Sequence, residues 1–416
     1  MAELAEPAVV RRASTRDAAP ARAPVAKPAD GLTRLAEIPA AHWRALAEHA
    51  TEPNGYYLPD WELAINASAR GRGGAFALHA WNDSAKLIGL LPVISMWRAY
   101  KIPLPALVSA DPFGTLCTPP LDRDDPKAAA KELLDQARKA GAHALILRDA
   151  ALDGAAMAAF TDVLRHDGIK PRILQSHVRA ALDARRDADE LLHEALGPKK
   201  LKELRRQRNR LADHGGVDFD IARTPNEVAA AIETFLKLEA SGWKGKRGTA
   251  LVQDEGNAAF IRRATSALAA NRQCEIMTLR AGETPVAAAI VLRHLDRAFY
   301  FKLGVDERFS KFSPGVQLTL DLTRHLCADP AIATADSTAN PDHPMINPIW
   351  RERLAIGDVL IPLRKGDPVA ALAHTALTLH RLAREPARRI VRLMRNRQEK
   401  SAMRGGSRSA SARIII

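Results

Sequence analysis

Cysteine is scarce in this chain of 416 residues: Cys117, Cys274 and Cys327 lie far apart, with no C-x-x-C pair. That spacing argues against a disulfide framework and a cysteine zinc site and fits a reducing cytoplasm. Each thiol is expected to be a small buried apolar group. The 13 histidines include no H-E-x-x-H, so no metal is expected. No apolar run reaches the roughly 20 residues that cross a bilayer. Up to about Gly31 the chain alternates Ala, Pro and Arg, carries Glu3 and Glu6 and lacks the apolar block of a secretory signal. A disordered leader over residues 1–31 is the expectation. Aromatics make up 5 % of the chain, and none interrupts the cation-rich run Lys199–Arg210, which leaves base stacking without support there.

The remainder is ordinary for a soluble globular protein, with 47 % hydrophobic and 26 % charged residues. Its length calls for two domains. Sixty-one cations against 48 anions give +13, which favours nucleic acid, anionic lipid or acidic metabolites as partners.

Apolar spacing predicts two helices within Leu32–Arg70, a hairpin from Ala75 to Val93, a helix over Pro126–Ala140, a strand at Ala144–Arg148, a helix over Gly154–Asp167 and a strand over Pro171–Leu182. The second half predicts helices at Asp187–Leu196 and Lys199–Leu211, a strand at Val217–Arg223, and helices at Pro225–Glu239 and Glu255–Ala270. Then come an antiparallel meander from Glu275 to Gly304, a helix over Ser313–Cys327, a strand beginning at Ala333–Asp336 and a helix over Asn347–Gly357 with a strand after it. The element order of one half repeats in the other, although no residue-level repeat is visible. The expected class is α/β, a mixed sheet with helices packed on it.

Two stretches carry the chemistry. Leu238–Thr249 places Glu239, Trp243, Lys244, Lys246, Arg247 and three glycines within one loop's length. Glycines allow close backbone approach, the cations ask for an anion, and the indole offers a flat wall; a solvated loop anchored by Trp243 is the plainer alternative. Ser313-Pro-Gly opens a helix right after a strand. Ser313 suits an N-cap, Pro314 the first turn, and the free amides favour an anion. Asp336 should end a strand, and Asp342 and His343 follow in a Pro-rich loop. His343 titrates in the range of a general base or is simply solvated. Glu239, at a helix end, is a base, a substrate clamp or a surface carboxylate.

Leu238–Thr249, Asp306–Val316 and Asp336 through Trp350-Arg351 together resemble the acyltransferase domain of FemAB-like and cellulose-biosynthesis CelD-like proteins of the GNAT superfamily, over roughly Asp187–Arg364. The resemblance implies tandem GNAT-like domains: a degenerate one over 32–184 that lacks the three motifs, and an acyltransferase over 185–365. Residues 366–416 would add a basic amphipathic helix and disordered tail. An acyl-CoA such as acetyl-CoA would be the donor, and an amine or hydroxyl of a small molecule, glycan or peptide the acceptor, in exopolysaccharide or cell-envelope biosynthesis.

Within that scheme Ser313 and Gly315, with Lys302, Arg308 and Lys311, would hold the donor's phosphates. Of the superfamily's usual Arg- or Gln-led glycine loop, only Gly315 and the nearby Arg308 and Lys311 answer. Trp243, Lys244, Lys246, Arg247 and Thr249 would hold donor or acceptor; Trp350 and Arg351 would close the pocket, unless Trp350 is core. Glu239, Asp336 or His343 would move the proton. Fem-type relatives imply a second donor, aminoacyl-tRNA, for which the basic helix at Lys199–Arg210 would be a contact rather than a solvated face. A non-catalytic scaffold at a membrane polysaccharide synthase is the third reading. The apolar stripe of Val369–Leu382 and Ile390–Met394, ringed by arginines, reads either as a helix on the anionic inner face of the plasma membrane or as one docked on the body.

Overall fold

The computed structural model describes residues 32–69, 73–110 and 113–383; the expected leader and the chain after residue 383 lie outside them. The first run of elements is β1 (Thr33–Arg34), α1 (Ala40–Glu48), α2 (Pro59–Ser68), β2 (Phe76–Trp81), β3 (Leu87–Ser95), α3 (Met96–Tyr100), β4 (Ala106–Ser109), α4 (Pro126–Lys139), β5 (Ala144–Ala151), α5 (Ala155–His166) and β6 (Arg172–Asp183). The second is α6 (Ala188–Ala212), β7 (Val217–Ala222), α7 (Pro225–Ser241), α8 (Trp243–Lys246), α9 (Glu255–Ala270), β8 (Cys274–Ala281), β9 (Thr284–His294), β10 (Arg297–Val305), α10 (Pro314–Cys327), β11 (Thr334–Asp336) and β12 (Glu352–Pro362). Residues 368–383 form a last helix, α11.

Helix starts follow their caps. Asp125 accepts from the Ala128 amide at 3.1 Å, Asp187 from Glu190 at 2.9 Å and Asp254 from Asn257 at 2.7 Å, while Thr224 and Glu227 form a reciprocal capping box at α7. The two helices expected on either side of Gly197-Pro198 are both present within α6 and meet at a break where Gly197 takes a non-helical backbone, φ 71° and ψ 165°.

The twelve strands among the described residues join one mixed sheet, ordered β1-β2-β3-β4-β5-β12-β6-β11-β10-β9-β8-β7. Two neighbouring pairs are parallel, β4–β5 and β10–β11. The end strands of the two runs are exchanged. β12 enters beside β5, and β6 pairs with β11 through Thr334↔Asp183 to Asp336↔Ala181. The boundary expected at 184/185 therefore follows directly on an exchanged strand.

Packing crosses that boundary too. Trp61 of α2 sits edge-on to Phe260 and Phe301 at 5.0 and 4.9 Å, within a core shared with Ile232, Phe235 and Ile276. His294 of β9 accepts the Asn54 amide at Nδ1 (2.8 Å) and donates from Nε2 to the Ala47 carbonyl (2.9 Å). Burial therefore holds it neutral, with its pKa lowered to about 4.

Four short elements escaped the sequence reading: β1, α3, β4 and α8, the last within the stretch read as a loop. The helix expected over Asn347–Gly357 is absent. Turns run to Trp350, and β12 occupies Glu352–Pro362. Hydrogen bonding along both edges, to β5 and β6, overrides local preference here. Gly357 fits because a Cβ would come within 2.6 Å of the Gln175 carbonyl. Cys117 and Cys274 are buried and Cys327 partly so.

Acid should loosen this architecture in two stages. His294 has a folded pKa (about 4) below its ordinary 6.5, so the unfolded chain binds its proton first and stability falls from pH 6.5 to 4. Glu275, whose burial is outweighed by His325, Arg293 and Arg223, sits at about 2; its contribution, whole above 4.5, is lost as pH falls toward 2. Chemical denaturation against pH should show the upper slope, worth roughly 3 kcal/mol, and His294→Asn should abolish it. A flat profile between pH 7 and 4 would contradict this account.

Candidate active site

The parallel pair β10–β11 holds for three residues only, Arg297↔Thr334 to Phe299↔Asp336. Beyond that point β10 continues to Val305 while the other chain turns away through Ser337–Asn340. A cavity of about 490 Å³ opens between them, lined by Phe113, Thr115, Lys244, Phe301–Leu303, Val305, Thr338, His343 and Met345 among others. β10 also bulges at Phe301, where its register against β9 shifts between Tyr300 and Lys302.

An antiparallel strand alternates the edge to which its amides point. Asp306 N–H donates toward β9, to the Val286 carbonyl at 2.9 Å. The amides of Leu303 and Val305 therefore face the opposite edge, where β11 has ended. An open strand edge beside a slot is suited to a ligand that itself carries amides.

Buried charge fixes where the strands part. Asp336 is fully buried at the end of β11 and pairs with the equally buried Arg179 of β6. Its Oδ1 accepts the Thr338 amide at 2.8 Å, and Arg179 also donates to the Thr115 carbonyl at 2.5 Å. Thr338 takes a left-handed φ of 49° and donates to the Tyr300 carbonyl at 2.6 Å. Ser313 (φ 53°) and Asp342 (φ 59°) are left-handed as well. For a β-branched residue such as Thr338 this is a true outlier, of the sort that gathers at functional sites.

Glu239 lies in this neighbourhood, 2 % exposed. Its Oε1 accepts Lys244 Nζ at 3.1 Å and Lys302 Nζ at 3.3 Å, and its Oε2 accepts the Leu251 amide at 2.9 Å. Burial alone would raise its pKa, but the two ammonium groups and the amide bring it below the ordinary range. That answers the unfavourable helix-end position and makes Glu239 an anchor for two lysines that line the cleft. His343 is half-buried, with its pKa lowered by burial. Its Nδ1 lies 3.3 and 3.4 Å from the Met345 and Ile346 amides, so the ring is neutral at pH 7.

Gly315 is buried in the first turn of α10, and a Cβ there would press within 2.9 Å of Leu303. Several expected contacts are elsewhere. Ser313 caps nothing with its side chain, because its left-handed backbone is not the extended geometry of an N-cap. Arg308 is exposed and bidentate on Asp306; Lys311 lies 4.7 Å over the Phe312 ring. Lys246 pairs with Glu307 at 2.8 Å, Arg247 is exposed, and Thr249 donates to the Lys244 carbonyl at 3.2 Å. Trp350 is fully buried core, donating to Thr323 at 2.9 Å, and Arg351 reaches the Glu194 carbonyl; neither lines the cleft. The side chain of Trp243 is not among those described. Of the expected residues, then, Lys244, Lys302 and His343 line the cleft, with Glu239, Asp336 and Gly315 bracing it.

The first half contains the same parallel pair, but there the gap is filled. Beyond Ser109, where β4 ends, Cys117 N–H reaches the Asp149 carbonyl, Thr118 Oγ1 accepts the Ala151 amide, and Leu121 bridges Gly89 of β3. Segment 117–122 thus takes the place of β4 between β3 and β5. The same loop supplies Phe113 and Thr115 to the open cleft of the other half. Sequence reasoning missed Phe113, Thr115 and Arg179 because no motif marks them and 157 residues separate Arg179 from Asp336.

One trio of possible metal ligands occurs among the described residues, His49, Asp122 and Asp124. None of the three lines the cleft, and the Lys86 ammonium already lies 2.6 Å from Asp122.

Residues 198–342 match the family model described as an acetyltransferase (GNAT) domain. The chain therefore carries a GNAT-type acetyltransferase domain, and α7, α8, β10, α10 and β11 all fall inside it. Among solved structures, FemX is similar over 81 % of this chain and 99 % of its own, with TM-score 0.53 and 13 % identity. The C-terminal domain of an Agrobacterium fabrum protein described as a lysylphosphatidylglycerol synthetase matches over 81 % and 96 %, with TM-score 0.50 and 12 % identity. A conserved protein of unknown function from Bacteroides thetaiotaomicron matches over 78 % and 98 %, with TM-score 0.50 and 13 % identity. Identities this low establish a shared fold alone. No curated protein matches the sequence.

Arg179→Met would leave Asp336 buried and unpaired, and should cost about 3–5 kcal/mol in denaturant unfolding. The double change Arg179→Met with Asp336→Leu should recover much of that loss. A single variant within about 1 kcal/mol of the parent would remove the ion pair from its place in the site.

Proposed function

We propose that this protein transfers an acyl group from an acyl-CoA to an amine or hydroxyl in the cleft beside β10. The observation that carries the reading is the open edge at Leu303 and Val305, next to the parted β11. The amide-bearing pantetheine arm would lie along that edge, with the phosphates toward the first turn of α10. Two lysines, Lys244 and Lys302, line the cleft and meet at Glu239; two ammonium groups at the lining suit an anionic donor or an acceptor carrying a carboxylate or phosphate.

In the reaction the acceptor's nitrogen or oxygen bonds to the acyl carbon and the carbon–sulfur bond breaks. The acceptor loses one proton and the departing thiolate gains one. A neutral imidazole presents one lone pair and one N–H, and His343 is the lining group to which we assign this transfer: its Nδ1, released from the long contacts of the Met345 and Ile346 amides, takes the acceptor's proton, and its Nε2–H supplies one to the thiolate. The resemblance of Leu238–Thr249 and its companion stretches to FemAB-like and CelD-like proteins supports an acceptor from cell-envelope or exopolysaccharide synthesis.

A second reading keeps the cleft and changes the donor to an aminoacyl group on tRNA. It is supported by the exposure of Lys199, Lys200, Arg205 and Arg206 along α6. Salt-sensitive tRNA binding, lost when those four are neutralised, would favour it.

Gly315→Val, which forces a side chain against Leu303, should cost about 1–3 kcal/mol of stability and weaken acetyl-CoA binding of the folded protein in calorimetry by about tenfold or more; unchanged affinity would refute the donor site. His343→Gln should lower kcat by about 10²-fold. It should also erase an acid limb lying below pH 6.5, the direction in which burial moves this imidazole. A variant that keeps the parental pH profile would rule His343 out.

A further inference from the structure

The last described helix is apolar on two sides. Ala370, Ala373 and Leu377 of α11 are buried against Met96, Val108, Ile146 and Leu360. At 3.6 residues per turn, Leu372 and Leu379 project within about 20° of each other on the side away from that docked face, with Leu382 flanking them. These leucines are 55, 61 and 58 % exposed. Large apolar side chains gathered on the exposed face of a helix mark an interaction surface. The adjoining α3, whose Tyr100 ring meets His380 at 5.6 Å, adds the exposed Trp97, with Lys101 Nζ 5.7 Å from its ring.

Charge identifies the occupant. The 33 residues that follow α11 carry ten Lys and Arg against Glu385 and Glu399, a net +8 out of the chain's +13. A second copy seated on the leucines would bring the same positive segment with it, and like charges repel. RNA would answer the charge and leave the leucines wet. An anionic bilayer answers both, since leucine and tryptophan settle at the headgroup boundary while arginines and lysines meet the acidic lipids.

We infer that α11 is a membrane-docking element, held to the body by Ala370, Ala373 and Leu377 and presenting Leu372, Leu379, Leu382 and the neighbouring Trp97 to an anionic lipid surface. This surface is independent of the reaction assigned to the cleft. Its effect is to keep the enzyme beside acceptors that are membrane-bound or made at the membrane.

The test is cosedimentation of the full chain with vesicles of phosphatidylcholine alone or mixed with phosphatidylglycerol, with the oligomeric state followed by light scattering. The parent should bind the phosphatidylglycerol vesicles and not the neutral ones. Leu372→Glu with Leu379→Glu and Leu382→Glu should cut partitioning at least tenfold with the melting temperature unchanged. The corresponding triple alanine variant, which preserves helix propensity, should lose binding to a smaller extent. Three results would overturn the proposal: no vesicle binding by the parent, parental binding by the glutamate variant, or a parental dimer that the glutamates dissociate without any effect on vesicles.

Discussion

β10 and β11 stay together for three residue pairs and then separate, because Asp336 ends the ladder by turning its carboxylate to Arg179 rather than continuing alongside Tyr300. A charge buried this deeply is tolerable only when it is paired and hydrogen-bonded, and Arg179 and the Thr338 amide meet that requirement. The Thr115 carbonyl in turn accepts a hydrogen bond from Arg179. One interaction thus ends a strand, holds Thr338 in its left-handed turn and fastens a loop from the first half as a wall of the cleft. Remove it, and the slot loses its floor and one side.

The two halves make opposite use of the same element order. Both contain a parallel pair that stops early. In the first, segment 117–122 closes the gap with backbone hydrogen bonds to both flanking strands; in the second it stays open beneath α10. The exchange of β6 and β12 ties the open half to the closed one, so the half without a cleft still positions Arg179, Phe113 and Thr115. Its role is structural support and one face of the site, which is why motifs alone gave it nothing to do.

The periodic elements could be read from sequence wherever apolar spacing and caps agreed, as at α4, α7, α9 and α10. β12 could not, since its identity comes from partners on both edges, β6 and β5, that lie about 180 and about 210 residues earlier in the chain. Lys244 and Lys302 could be named as site residues, but their convergence on Glu239 could not, because that requires α7 to cross β10 at Gly304, where a Cβ would meet the Glu239 amide at 3.0 Å. The Ser313 cap failed for a backbone reason, a left-handed φ that composition does not reveal. Trp350 was balanced between pocket and core, and its hydrogen bond to Thr323 belongs to the core.

The central claim is that the edge of β10 facing the parted β11 receives the donor's amide-bearing arm. Residue-resolved amide exchange of the full chain, with and without acetyl-CoA, tests it most directly. The account predicts that the Leu303 and Val305 amides exchange more slowly when acetyl-CoA is bound, while Asp306, already bonded to Val286, changes little. Calorimetric binding of acetyl-CoA with Leu303 and Val305 unprotected would contradict it.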